Sequence, residues 1–232
     1  MQWIVGTSGY SYKEWKGTFY PDDLPASKML SFYAGQFGSV EINNTFYRMP
    51  QEKLLTTWAG EVPEGFRFVL KAPQRITHMK RLKGVEDEVR YFLEVAASLG
   101  AKLGPLLFQL PPNMKKDVDR LRDFLPLVPH TFKVAMEFRH ESWFADDVYD
   151  ALRARNAALC ASDTDEVTDP DSILVPTASW GYQRLRRTEY SDEQLVAWKK
   201  RMEAQPWSEA YVFFKHEDEG KGPLFAKRFL AT

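Results

Sequence analysis

Short apolar runs alternate about eight times with helical patterns along the chain, at a spacing of roughly 30 residues. Strands that are separated by helices cannot pair as hairpins, so the pattern predicts parallel strands with crossover helices. Eight such units in 232 residues fit a compact (β/α)8 barrel of the TIM type, an α/β fold. An open doubly wound sheet fits less well, because no Gly-x-Gly-x-x-Gly follows the first strand. The predicted strands cover residues 3–6, 39–43, 66–71, 103–110, 132–136, 157–162, 179–185 and 209–215.

Helical patterns fill most of the gaps between these strands. Ser27 and Ser191 are predicted N-caps, and Gly100 follows the end of a strongly amphipathic helix. Residues 165–177 are acidic and contain proline, so the helix after the sixth strand is predicted to be weak or missing. The other helices are predicted at 27–37, around 54–58, and at 86–99, 117–125, 145–155, 191–202 and up to residue 230.

Composition and chain ends exclude several classes of protein. The formal net charge of −1 does not direct the chain to nucleic acid or to an anionic membrane. No apolar run approaches the roughly 18 residues of a membrane span, and the N-terminus lacks the pattern of a signal peptide. Cys160 is the single cysteine, so an internal disulfide is excluded, and its apolar neighbours predict a small buried side chain. We expect one domain over residues 1–232, in the cytoplasm and without membrane contact.

Polar or ionisable side chains stand at the end of nearly every predicted strand. Residues 137–143 follow the fifth strand directly and bring charge to the edge of a core, where it is costly unless it is paired. In a TIM barrel all these strand ends meet at the face that holds active sites. The predicted site collects Thr7, Ser8, Glu41, Asn43, Asn44, Lys71, Gln109, Glu137, Arg139, His140, Asp163, Arg184, Lys215, His216 and Glu217.

Glu41 and Glu137 are the candidate general acid and base, because environments that push two carboxyl pKa values apart suit them to these roles. His140 and His78 are candidate proton shuttles. The alternative is a structural network in which Glu137 pairs with Arg184 or Lys71 and closes the barrel mouth.

Positive charge at the same strand ends suits an anionic substrate group such as phosphate or carboxylate. The candidate cations are Lys71, Arg139, Arg184 and Lys215. Aromatic residues in loops after predicted strands are further candidates for substrate contact, and they are Tyr10, Trp15, Tyr47 and Trp143.

We expect no cofactor. His78, His140 and His216 lie beside predicted strand ends, and with Glu or Asp they would form the ligands of a divalent ion. No His-x-His or His-Glu-x-x-His spacing supports that alternative.

A set of motifs resembles domain-of-unknown-function family 72, also called YecE-like, over essentially the whole chain. The motifs are Gly6-Thr7-Ser8-Gly9-Tyr10-Ser11-Tyr12, Val40-Glu41-Ile42-Asn43, Lys71-Ala72-Pro73, Ile76-Thr77-His78, Gln109-Leu110-Pro111-Pro112 and Glu137-Phe138-Arg139-His140. The resemblance implies a TIM-type barrel and no established activity. The last quarter departs from the family's commoner pattern, which tends to read Arg-Leu-His-Gly in the seventh strand and Phe-Asn-Asn in the eighth. Here Arg186-Arg187 follow Arg184-Leu185, and Lys215-His216-Glu217 follow Phe214.

These features favour an enzyme, a hydrolase or a lyase, that acts on an anionic, sugar-phosphate-like or phosphodiester substrate. One alternative is a nucleic-acid-binding protein without catalysis, in which aromatic side chains stack on bases near basic residues. Those residues would be Tyr10, Tyr12, Trp15, Phe46, Tyr47 and Trp143, with Lys80, Arg81, Lys83, Arg186 and Arg187. The other alternative is a non-catalytic scaffold, which an exposed apolar patch would indicate.

Overall fold

Eight parallel strands close into a barrel in sequence order in the computed structural model, which describes residues 1–215 and 220–232. Each strand pairs with its sequence neighbours, and the last pairs with the first, where Gln2 lies opposite Glu209. The prediction of an α/β barrel of the TIM type is confirmed. The strands are β1 (Gln2–Ser8), β2 (Ser39–Ile42), β3 (Arg67–Lys71), β4 (Leu103–Gln109), β5 (Val134–Glu137), β6 (Ala158–Asp163), β7 (Gly181–Leu185) and β8 (Glu209–Phe214).

Helices lie between the strands. The connection after β6 holds only a 3-10 turn, Pro170–Ile173, as its acidic and proline-containing sequence predicted. The helices are α1 (Met29–Ala34), α2 (Asn44–Tyr47), α3 (Glu52–Gly60), α4 (Glu86–Ala97), α5 (Val118–Phe124), α6 (Asp146–Arg155), α7 (Asp192–Glu203) and α8 (Lys221–Ala231).

Two of the predicted helix starts have different outcomes. Ser191 forms a complete capping box, in which its Oγ accepts from Gln194 N and its own N–H donates to Gln194 Oε1. Ser27 does not cap a helix, because a 3-10 turn over Ala26–Lys28 precedes α1. The predicted loop around His78 is also more ordered than expected and forms a π-helical turn, Arg75–Met79.

Strand alternation divides the buried side chains into two sets. One set fills the barrel interior: Ile4, Val69, Leu107, Ala135, Ala158, Cys160, Trp180, Tyr182, Tyr211 and Phe213. The other set packs between the strands and the surrounding helices. Successive side chains of a strand point to opposite faces. A polar residue two positions after an interior residue therefore also points into the barrel, and one a single position after it points toward the helices. Cys160 is buried as predicted, and burial together with the nearby Glu137 charge raises the pKa of its thiol.

No helix in the described ranges is both long and apolar enough to cross a membrane.

Phe92 and Tyr91 on α4 give a matched pair for testing the outer core. Phe92 is 0% exposed and packs edge-on against Phe108, whereas Tyr91 is 49% exposed. We expect Phe92→Ala to reduce the free energy of unfolding by about 3–5 kcal/mol, because it removes a buried ring and leaves a cavity. The melting temperature should fall by about 6–20 °C. Tyr91→Ala should change the free energy by about 0.5 kcal/mol or less. Equal losses in calorimetry would contradict the placement of this helix face.

Candidate active site at the carboxyl ends of the strands

Arg184 of β7 lies inside the barrel between two buried carboxylates. Its Nη1 donates to Glu137 Oε2 at 2.7 Å, and its Nη2 donates to Glu41 Oε1 at 2.9 Å. All three residues are at most 2% exposed. Because β7 is adjacent to neither β2 nor β5, both contacts cross the barrel interior. The Glu137–Arg184 pair that the sequence allowed as a structural alternative is therefore formed, and Glu41 joins it.

Further donors complete the binding of the two carboxylates. Tyr182, one layer deeper on β7, donates its hydroxyl to Glu41 Oε2 at 2.6 Å. Asn43 Nδ2 donates to Glu41 Oε1 at 3.2 Å. Arg139, just beyond β5, forms an ion pair with Glu137 Oε1 through its Nη2. Each carboxylate is thus held from more than one side, which fixes its orientation.

These contacts determine the charge of the carboxylate on β5. Burial alone raises the pKa of Glu137, but the guanidinium groups of Arg184 and Arg139 more than offset this and hold its pKa at about 2. The same pairing raises the pKa of Arg184 despite its burial. Glu137 is therefore ionised throughout the neutral range.

Lys71 and His78 have lowered pKa values, and both side chains pack against the ring of Phe46. Lys71 ends β3 and follows the interior residue Val69 by two positions, so it faces the barrel mouth. Burial and the Arg184 charge lower its pKa to about 8. Its Nζ lies 4.3 Å from the centroid of the Phe46 ring, and His78 packs edge-on against the same ring at 4.8 Å between centroids. Burial and the Lys71 charge lower the pKa of His78, so this imidazole is neutral at pH 7.

Arg186 adds another positive charge near this cluster. Burial and the neighbouring charges of Arg184 and Arg139 lower the pKa of Arg186. Its Nε and Nη1 are buried and have no hydrogen-bond partner among the residues described. The hydroxyls of Ser8 and Ser162 are also buried without a partner in that part of the chain.

Strand pairing places both serines beside the central network. Ser8 is in register with Glu41, and Ser162 is in register with Arg184. In the described structure, the cations around the mouth outnumber the two carboxylates, and they are Lys71, Arg139, Arg184 and Arg186.

Two predicted site residues, Thr7 and Asp163, point away from the mouth and require a correction. Thr7 donates its hydroxyl to Gly9 O at 2.6 Å. Asp163 accepts from Tyr190 OH at 2.8 Å, from Trp198 Nε1 at 3.0 Å and from Arg187 Nε. Strand alternation explains this, because an interior Ser8 and Ser162 send the adjacent Thr7 and Asp163 outward.

The sequence prediction left Ser162 out of the site, and it named Arg186 only as a basic residue for nucleic-acid phosphates and as a departure from the family's commoner pattern. Both lie two positions from interior residues, Cys160 and Arg184. Counting in steps of two along β6 and β7 was the signal that would have found them.

The predicted aromatic contacts differ in exposure. Trp15 is 1% exposed and packs among Tyr12, Phe19 and Tyr20. Trp143 is fully buried, and its Nε1 donates to Met114 O at 2.7 Å. Neither ring offers a face to a ligand, because both complete the packing of loops. Tyr47 is 74% exposed at the rim.

Tyr10 lies with Asn43 and Asn44 along a groove of about 160 Å³. Asn43 connects this groove to the central network, because it lines the groove and also donates to the Glu41 carboxylate.

The other predicted residues lie around the mouth or in its loops. Gln109 ends β4 opposite Glu137. His140 is turned to its own loop, where its Nδ1 lies 2.9 Å from Ser142 Oγ. Lys215 follows β8, and its N–H donates to Leu185 O at 3.1 Å. His216 and Glu217 lie outside the described residues. In residues 1–215 and 220–232, no group of three or more His, Cys, Asp or Glu side chains is arranged to hold a metal ion.

Fold and site define a TIM-type barrel with a buried Glu–Arg–Glu network at the carboxyl ends of its strands. A model of the family described as "Protein of unknown function DUF72" matches residues 4–232, so the chain belongs to this family. The resemblance drawn from the motifs is confirmed.

Named relatives and a solved structure support the assignment. UPF0759 protein YunF of Bacillus subtilis (strain 168) is 24% identical over 97% of this chain and 93% of its own length. UPF0759 protein YecE of Escherichia coli (strain K12) is 32% identical over 50% of this chain, and the match spans 43% of YecE. A DUF72 family protein from Thermotoga maritima MSB8 superposes with a TM-score of 0.87 at 27% identity, covering 100% of this chain and 98% of that one.

Removal of Arg184 tests the central network. We expect Arg184→Met to lower the free energy of unfolding by about 3–5 kcal/mol, because it leaves two buried carboxylates without their cation. The triple variant Glu41→Gln, Glu137→Gln, Arg184→Met should recover part of the loss, since it removes all three charges. Arg153→Met, which breaks an exposed pair with Asp150, is the control and should cost about 1 kcal/mol or less. Urea unfolding measures all three, and an Arg184→Met as stable as the control would contradict the network.

Acid should remove the contribution of Glu137 to stability. Its pKa is lowered from 4.5 to about 2 in the folded protein, so the stabilisation is complete above the unfolded value and is lost as the pH falls toward 2. We therefore expect the stability deficit of Glu137→Gln to be large at pH 7 and to shrink below pH 4.5. Glu94→Gln, on an exposed position of α4, is the control. A deficit that stays constant from pH 7 to pH 3 in urea unfolding would show that the negative charge of Glu137 does not cause it.

Proposed function

We propose that the barrel mouth is the active site of an enzyme that binds an anionic group, a phosphate or a carboxylate, of a small substrate. One observation carries the proposal: among the residues that the structure describes, cationic side chains outnumber carboxylates at the mouth, and both carboxylates are already bound to arginine. Positive charge in a partly dry cleft attracts and orients anions. A hydrolase or a lyase that acts on a phosphorylated or sugar-like molecule fits such a mouth.

Unpaired donors support anion binding at a definite place. Arg186 Nε and Nη1 and the Ser162 hydroxyl are buried without partners among the described residues. A buried donor that makes no hydrogen bond costs free energy, and the oxygens of an anion would satisfy it. We place the anionic group between Arg186 and Lys71, with Arg139 as a further contact.

Proton transfer is better assigned to Lys71 and His78 than to the carboxylates. With a pKa of about 2, Glu137 holds no proton at neutral pH and is a weak base. The pKa of Lys71 is about 8, near the range where a proton is both held and released easily. This proposal gives Glu137 and Glu41 the role of positioning Arg184, and it replaces the acid and base roles that the sequence favoured for them.

Nucleic-acid binding has weaker support. Of the aromatics expected to stack on bases, Trp15 and Trp143 are buried. Of the basic residues expected at phosphates, Lys80 pairs with Glu88 and Arg187 pairs with Asp163. Tyr10, Tyr12 and Phe46 are half-buried, and the exposed Tyr47 by itself does not make a platform for several bases.

Inorganic phosphate is a direct probe of the proposed site. We expect it to bind the protein in calorimetric titration and to bind Arg186→Gln about tenfold more weakly, because one charged donor is lost. Arg153→Gln, an exposed arginine on α6, is the control and should leave the affinity unchanged. Unaltered affinity in Arg186→Gln, or no binding of phosphate or acetate to any form, would overturn the proposal.

A further inference from the structure

Lys71 differs from an ordinary structural lysine in its surroundings. It stands at the end of a barrel strand, half-buried, with its amine toward the mouth. The nearby carboxylates, Glu41 and Glu137, are bound to Arg184, and Lys71 forms no ion pair with a described carboxylate. The amine therefore lies close to charged groups without forming an ion pair with a described carboxylate.

Burial and neighbouring positive charge favour the neutral form of this amine, and they outweigh the cation–π attraction of the Phe46 ring, whose centroid lies 4.3 Å from Nζ. His78 packs edge-on against the same ring. Arg184 and Arg139 both disfavour a further positive charge, and together with burial they bring the pKa of Lys71 to about 8. At pH 7 about a tenth of the amine is then neutral. A lysine that is desolvated beside other cations is an activated nucleophile.

We propose that Lys71 forms an imine with an anionic oxo-substrate, an aldehyde or ketone that carries a phosphate or carboxylate group. This inference rests on the proposed function, because Arg186 and Arg139 would hold the anionic group while the carbonyl carbon reaches Nζ. It identifies the substrate class more narrowly and favours a lyase over a hydrolase.

The reaction balances with groups that are present and one proton from solvent. The Nζ lone pair attacks the carbonyl carbon, and the proton that nitrogen loses moves to the carbonyl oxygen to give a neutral carbinolamine. The hydroxyl then takes up one proton from solvent and leaves as water, so that one amine, one carbonyl and one proton become one protonated imine and one water. The imidazole of His78 is the nearby group suited to accept the proton from nitrogen and to pass it to the oxygen. The protonated imine then draws electrons from an adjacent carbon–carbon bond, which is the chemistry of a lyase.

Reductive trapping tests the imine. The protein is incubated with pyruvate or with dihydroxyacetone phosphate in the presence of sodium cyanoborohydride, and peptide mapping by mass spectrometry locates the adduct. We expect Lys71 to be modified at least about fivefold faster than any other lysine, with a rate that rises as the pH approaches 8, because the neutral amine reacts. The two probes distinguish a carboxylate from a phosphate as the preferred anion.

Two substitutions of Lys71 distinguish the nucleophilic role of its amine from the effect of its positive charge. Lys71→Arg keeps the positive charge but has no primary amine, so it should bind inorganic phosphate and form no adduct in its peptide. Lys71→Met should also form none, and it should be at least as stable at pH 7 as the parent, because the folded protein disfavours the charged amine that it removes. Lys53→Met, at an exposed position of α3, should leave the Lys71 adduct unchanged.

The outcomes distinguish this inference from the function on which it rests. Phosphate binding that depends on Arg186, combined with labelling of Lys71 no faster than of surface lysines, would overturn the imine and leave the anion site standing. Loss of both signals would overturn both. Labelling of Lys71 that persists at the same rate in Arg186→Gln would contradict anchoring of the substrate by that arginine.

Discussion

The bridge that Arg184 makes between Glu41 and Glu137 is the interaction on which the mouth of the barrel depends. It joins β7 to β2 and β5 through the interior, and none of the three residues is more than 2% exposed. Burying three charges is costly, and here the cost is offset only because each has a bonded partner of opposite sign. Tyr182 and Asn43 donate to the Glu41 carboxylate as well. Removal of the arginine would therefore leave these buried polar groups without the cation that joins them.

The same bridge sets the chemistry of the mouth. By binding both carboxylates it leaves the charges of Lys71, Arg139 and Arg186 less compensated, and because burial reduces screening by water, these charges act strongly on one another. Burial and the Arg184 charge lower the pKa of the Lys71 amine. In the proposal that this amine is the nucleophile, the structural network and the reactive site are not alternatives, because Arg184 belongs to the network and also helps to lower the pKa of Lys71.

The direction in which a side chain points was harder to predict than the position of its strand. The sequence locates the end of β6 to within one residue, but one residue decides whether a side chain points into the barrel or toward the helices. Asp163 was expected at the mouth and instead holds Arg187, Tyr190 and Trp198 outside the barrel. Ser162, its neighbour, takes the interior position. Trp15 and Trp143 were misjudged for a related reason, since a loop aromatic looks the same in sequence whether it covers a core or a ligand.

The amino-acid sequence by itself determined the barrel and the grouping of Glu41, Lys71, Glu137 and Arg184 at one face. Alternating strands and helices force parallel pairing, and parallel strands bring their carboxyl ends together. Tertiary structure alone decided which of these side chains bond. Arg184 meets Glu41 across 143 positions of sequence and Glu137 across 47, and local patterns carry no information about distances across the barrel interior. The pKa of Lys71 follows from those distances and from burial, and so it too became visible only in the folded chain.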